Sequence, residues 1–127
     1  MLIRAGLIAV GTAIAPLGMS EAQDKGPRVS AKEYEGWRQY SVHCARCHGQ
    51  DVTGNPVAAH LLESARSGGP VATKEAFTNV VAEGRVAKGM PAFKAIMKPE
   101  QIEAVYAYVK GRADGRIAVG RPAAPSR

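Results

Sequence analysis

Cys44-Ala45-Arg46-Cys47-His48 decides how this chain is read. Two thiols three positions apart project from one side of a helical turn. From there both can add across the two vinyl groups of a single porphyrin, forming two thioethers. The next residue, His48, is then held beneath the iron, where an imidazole nitrogen serves as a ligand. C-x-x-C-H is the attachment pattern of a covalently bound haem. The chain has only these two cysteines, so neither is left over for another task.

Three other uses of the pair have less support. A thioredoxin-like redox pair needs a strand-rich βαβ context, and the sequence offers none. A closed zinc site needs four ligands; only His43, His48 and His60 could join the cysteines, and a second ligand pair is missing. A structural disulfide is an option in an exported protein, but on a helix this spacing closes a small, strained ring.

The N-terminus reads as an export signal. Arg4 makes a short positive start, and Ala5 to Met19 is apolar but too short and too interrupted by Gly and Pro for a membrane span. Ser20-Glu21-Ala22 places small residues for cleavage after Ala22; an uncleaved anchor is the alternative. Domain boundaries follow: 1–22 secretory signal, 23–29 flexible lead-in, 30–115 a single folded domain, 116–127 a disordered tail. Loss of the signal removes one base, Arg4, and one acid, Glu21, so the net charge stays at +6. That charge fits an acidic protein surface. It argues less for nucleic acid, because the basic residues are scattered and export separates the chain from it. No stable membrane insertion of the mature chain is expected. A chain this short builds a modest core, which a large apolar macrocycle would supplement.

Helical signals are clear at three places. Ser30 and Glu33 form a capping box, with Val29 and Tyr34 placed as a hydrophobic staple. Trp37, Ser41 and Cys44 continue that side at helical spacing, so a helix from Ala31 to about Cys44 leads into the motif, with Gly49 as a stop. Residues 49–72 read as one long loop, of a length that usually has a function. Thr73 caps a second helix with Phe77, Val80 and Val81 on its apolar stripe, ended by Gly84. After a loop over 85–97, Pro99 opens the last helix, with Glu100 and Glu103 near its positive end. Ile102, Val105, Tyr106 and Val109 form its buried side, and Gly111 or Gly115 ends it. The fold class is all-α, three to four helices with long loops wrapped around one haem.

A haem with one histidine has a sixth position. Met90, in Gly89-Met90-Pro91-Ala92-Phe93, is the candidate. Gly89 permits close approach or unusual dihedrals. Pro91 stiffens the loop and restricts Met90 to an extended conformation. A soft sulfur ligand favours reduced iron, raising the potential above that of a bis-histidine haem. Met97, just before the last helix, and His60 are the other donors to consider. Met90 as a gap-filling core residue is the reading without ligation. His43 is expected to be partly exposed and without a role.

These parts together resemble a class I c-type cytochrome of the small bacterial monohaem kind, over about Ser30 to Gly111. The resemblance rests on Gly36-x-x-x-Tyr40-x-x-x-Cys44, where the family has a glycine at a close helix crossing; on Cys44-x-x-Cys47-His48; on Gly89-Met90-Pro91; and on Val105-x-x-Tyr108 in the C-terminal helix. It implies one covalent haem c on Cys44 and Cys47, with His48 as proximal and Met90 as distal iron ligand. It also implies attachment outside the cytoplasm, in agreement with the export signal. One departure stands out. The family usually has a proline after the motif whose carbonyl receives the histidine's other N–H; aligned on Leu61, that place holds Ala59.

Gly49-Gln50-Asp51, Leu61-Leu62-Glu63-Ser64, and Tyr108-x-x-Gly111-Arg112-Ala113-Asp114-Gly115 with Gly120-Arg121-Pro122 resemble small cytochromes that accompany PQQ-dependent alcohol dehydrogenases. The expected function is thus a periplasmic one-electron carrier and no enzyme. It would take electrons from a periplasmic dehydrogenase and pass them to a terminal oxidase or another cytochrome. Arg46, Arg85, Lys88, Lys94 and Lys98 are candidates for a basic docking ring. The alternatives are a cytochrome subunit of a larger complex and a five-coordinate haem enzyme or sensor.

Overall fold

Ser30 starts the first helix as its sequence requires. Its hydroxyl accepts the Glu33 N–H at 3.1 Å, and the Glu33 carboxylate accepts the Ser30 N–H at 2.9 Å. The computed structural model describes residues 28–125, and within them the chain forms five helices and no strand. They are α1 (Ala31–His43), α2 (Ala45–His48), α3 (Leu61–Ala65), α4 (Lys74–Glu83) and α5 (Pro99–Ala113). The expected signal sequence lies outside the described residues. Among the described residues no helix is long and apolar enough to cross a membrane.

The frame is the crossing of α1 and α5. A Cβ on Gly36 would sit 1.9 Å from the Ala104 carbonyl oxygen, so only glycine lets the two backbones meet there. One turn on, the Tyr40 and Tyr108 rings pack with centroids 5.4 Å apart, both nearly inaccessible to solvent. Val105 and Val109 continue the α5 core stripe. α4 is set by the Thr73 hydroxyl, which accepts the Ala76 N–H at 3.2 Å. Its Phe77 ring meets Tyr106 of α5 at 5.5 Å. The all-α fold with its three capped helices is as the sequence reading expects.

Two expectations need correction. The stretch 49–72 is not one open loop: it holds a 3₁₀ turn at Gln50–Val52 and the short α3. Five residues of α3 are too few to carry a helical period, and the helix is stable because Ala65 is buried and Leu61 and Leu62 join the core. The tail beyond 115 is not disordered as far as it is described. Ile117 and Ala123 are buried, the Gly120 N–H donates to the Asp51 carboxylate at 2.9 Å, and the Arg121 guanidinium lies 5.4 Å from the Trp37 ring centre. Ala123 even pairs with Arg28 in a parallel bridge. This segment is ordered by docking on α1 and α5, which leaves no periodic trace. α5 itself passes through Gly111 to Ala113, and Gly115 closes it: the Gly115 N–H reaches the Arg112 carbonyl and the Arg116 N–H that of Gly111.

Candidate functional site

α1 stops where the motif begins. Cys44 (φ −115°, ψ −36°) breaks the helix, and Ala45–His48 forms one further turn, with the His48 N–H bonded to the Cys44 carbonyl at 2.9 Å. The Tyr40 hydroxyl donates to the Gly49 carbonyl at 2.7 Å, tying the end of the motif back to α1. Burial holds this phenol above its ordinary value, so it stays a donor.

A cleft of ≈ 540 Å³ opens beside this turn. Cys44, Cys47 and His48 line it from α1 and α2, and Met90 lines it from the loop between α4 and α5. Its apolar depth comes from Val71, Phe77, Val81 and Val105, all buried. The four residues singled out in the sequence are thus brought together on one cavity. As a free thiol, Cys44 is pushed up to about 12, first by burial and then by the neighbouring Cys47. A thioether has no proton to lose, so the same apolar setting suits the alkylated sulfur.

His48 has one ring nitrogen already committed. Its Nδ1 lies 3.0 Å from the Ala59 carbonyl oxygen. With the proton donated there, Nε2 keeps its lone pair for a metal. The missing proline does not remove the acceptor. Rigidity comes instead from a turn just before it, where the Ala58 N–H reaches the Asn55 carbonyl at 3.1 Å and the Val57 N–H the Asn55 side chain at 3.3 Å.

The Met90 loop is pinned at both ends. Arg85 and Met90 exchange two backbone bonds, of 2.9 and 3.2 Å. The Phe93 and Lys94 N–H groups then cap the α4 carbonyls of Val81 and Ala82. Gly84 makes this fold-back possible. Its φ of 72° and ψ of −175° lie in a region nearly reserved for glycine, and a Cβ there would meet Pro91 and Ala92 backbone at 2.6 Å. The sequence reading gives Gly84 only a helix-ending role. Gly89 supplies an unusual dihedral, φ 84°, but no close approach.

The other donors fall elsewhere. Met97 is buried in the core and does not line the cleft. His60 is exposed, its ring against Gly54. His43, expected to have no role, does line the cleft, its ring edge-on to Phe93 at 6.2 Å. Of the basic residues, Arg46, Arg85 and Lys88 lie at the cleft. Lys94 is paired with Glu83 at 2.7 Å, and Lys98 sits at the start of α5 away from the cavity. Sequence reasoning missed two valines at the cleft, Val42 and Val57, which are 71% and 74% exposed. Val42 lies off the apolar stripe of α1, the signal that would have found it.

Residues 31–109 match the family model described as cytochrome c oxidase, cbb3-type, subunit III. The chain belongs to the c-type cytochrome family. Cytochrome c-555 of Methylococcus capsulatus is 35% identical over 82% of this cytochrome and 81% of that protein. The dehydrogenase subunit of a quinone alcohol dehydrogenase from Acetobacter aceti is 38% identical over 62% of this chain, which spans only 10% of that protein. Among solved structures, the c-type cytochrome XoxG of Methylobacterium extorquens AM1 superposes with a TM-score of 0.69 at 28% identity, covering 80% of this chain and 64% of XoxG. This cytochrome is therefore an electron-transfer protein whose cofactor is covalent haem c. The residues present fit that group: two thiols on one turn, an imidazole with a free Nε2, a thioether sulfur and apolar walls, all on one cavity. Among the described residues no three His, Cys, Asp or Glu side chains are placed to hold a bare metal ion.

Proposed function

We propose that Cys44 and Cys47 would carry the haem through thioethers, that His48 Nε2 and Met90 Sδ would ligate its iron, and that the protein is a periplasmic one-electron carrier. The observation that carries this reading is the convergence of all four side chains on one cleft, with His48 Nδ1 already bonded to the Ala59 carbonyl. The bound haem supplies a one-electron couple between ferric and ferrous iron. The chain does the rest. Ala59 orients the His48 ring and raises its basicity. The pinned loop holds the weak Met90 donor in place. Val71, Phe77, Val81 and Val105 exclude water, which disfavours the more charged ferric state.

The cleft residues Val42 and Val57, with Arg46, Arg85 and Lys88, make an apolar and basic edge where a redox partner would dock. An acidic partner face fits the net charge of +6. Export with cleavage after Ala22 agrees with haem attachment outside the cytoplasm. A quinone-dependent alcohol dehydrogenase is the donor we favour, on the likeness to the Acetobacter aceti dehydrogenase subunit. A terminal oxidase or another cytochrome would be the acceptor.

Stopped-flow reduction by such a dehydrogenase tests the reading. Fast reduction that slows as ionic strength rises, and slows at fixed salt in an Arg85→Gln, Lys88→Gln variant, is the expected result. A rate indifferent to salt would remove the acidic partner. Rapid carbon monoxide binding by the reduced protein would instead identify five-coordinate iron and remove Met90 as ligand.

A further inference from the structure

Just behind the haem motif the backbone is strained. Asp51 and Val52 have φ of 55° and 64°, consecutive positive values in residues other than glycine. For a β-branched side chain such a φ is a true outlier, and it persists only when the surroundings enforce it. Val52 is moreover fully buried.

The enforcement comes from the far end of the chain. Arg112 of α5 donates from Nε at 3.0 Å and from a terminal nitrogen at 2.9 Å, both to the Asp51 carbonyl, and from its other terminal nitrogen to the Ile117 carbonyl at 2.6 Å. The Asp51 carboxylate accepts the Gly120 N–H at 2.9 Å. Forward of the turn, the Gly54 N–H bonds to the His48 carbonyl at 3.1 Å. Five residues later the chain delivers the Ala59 carbonyl to His48 Nδ1.

We propose that Arg112 is a positioning residue for the redox centre: with the docked segment 117–120 it holds the strained Asp51–Val52 turn, and through it keeps the Ala59 carbonyl against His48. The proposal rests on His48 being the iron ligand. An Nδ1–H bond to a carbonyl makes the imidazole a stronger donor, which favours ferric iron. Loosening the turn weakens that bond and raises the reduction potential.

The test uses the intact holoprotein with Arg112→Gln and Arg112→Lys. Lysine keeps the charge but cannot form the planar fork. At a fixed poise we expect Arg112→Gln to change the ferric-to-ferrous ratio up to about tenfold toward ferrous, about 59 mV for one electron. The His48 Nδ1–H should exchange with solvent faster in the NMR spectrum, and Arg112→Lys should recover part of both effects. Met97→Ala, a core change away from the cleft, should lower stability with neither effect. Arg112 variants that melt earlier yet keep the wild-type potential and exchange rate would make Arg112 merely structural and overturn the proposal. A wild-type ferric protein whose His48 ring protons show no paramagnetic shift in the NMR spectrum would instead show that the His48 ligation beneath the proposal had failed.

Discussion

Gly84→Ala should damage the redox site although the residue carries no chemistry. The glycine sits at φ 72°, ψ −175°, where an alanine is strained by about 1–3 kcal/mol. Its new methyl would lie 2.6 Å from the Pro91 and Ala92 backbone. The Met90 loop must therefore retreat by at least about 0.4 Å, with overpacking costs of roughly 1–3 kcal/mol. Together these give about 2–6 kcal/mol, a Tm lower by roughly 10–30 °C for a domain of this size. On the proposed ligation the retreat would draw Met90 from the iron, so the reduced variant should bind carbon monoxide and the wild type should not. Gly89→Ala is the control. It stands at φ 84° with nothing within 4 Å of the added methyl, so it should cost only the left-handed strain, roughly 1–2 kcal/mol, and keep the iron closed. A Gly84→Ala protein with wild-type Tm and no carbon monoxide binding would refute the view that this fold-back seats the methionine.

Other expectations follow from the same geometry. Met97→Ala should cost about 2–5 kcal/mol in guanidinium unfolding while leaving the visible spectrum intact, because Met97 fills the core and not the cleft. Gly36→Ala should destabilise the protein by more than the roughly 1 kcal/mol that alanine gains in helix propensity, since its methyl would overlap the Ala104 carbonyl at 1.9 Å; equal or higher stability would show that α1 and α5 can separate freely. Glu33 gives a pH effect. Partial burial opposes its ionisation, but hydrogen bonds from Arg116 and Ser30 outweigh this and hold its carboxyl below the usual range. A depressed folded pKa contributes stability that is present above the unfolded value, about 4.3, and is lost as pH falls through the folded one. Glu33→Gln should therefore flatten the acid limb of a Tm-against-pH profile; an unchanged limb would assign that loss to other carboxylates.

What could be read in the sequence is what short-range chemistry dictates. Ser30 with Glu33, Thr73 and Pro99 locate three helix starts because a cap is satisfied by residues three positions away. The haem motif is legible for the same reason: its donors are adjacent. Met90 is singled out by its Gly-Met-Pro setting once the haem motif is given, but it stands 42 positions beyond His48, and only the fold brings both to one cleft. The docked tail, the Arg112 fork on Asp51 and the contact of Gly84 with Pro91 leave no local signature. Each is made by residues with no periodic or motif spacing, and a tail carrying Pro122 and Pro125 without apolar periodicity reads as disordered although it docks.

The most direct measurement of the central claim is the near-infrared absorption of the ferric full-length holoprotein beside its Met90→Ala variant. A sulfur-to-iron charge-transfer band in the wild type that vanishes in Met90→Ala is the predicted result, with the haem still covalently attached in both. A wild type without the band, or a variant that retains it, would contradict axial ligation by Met90 and with it the function assigned to the cleft.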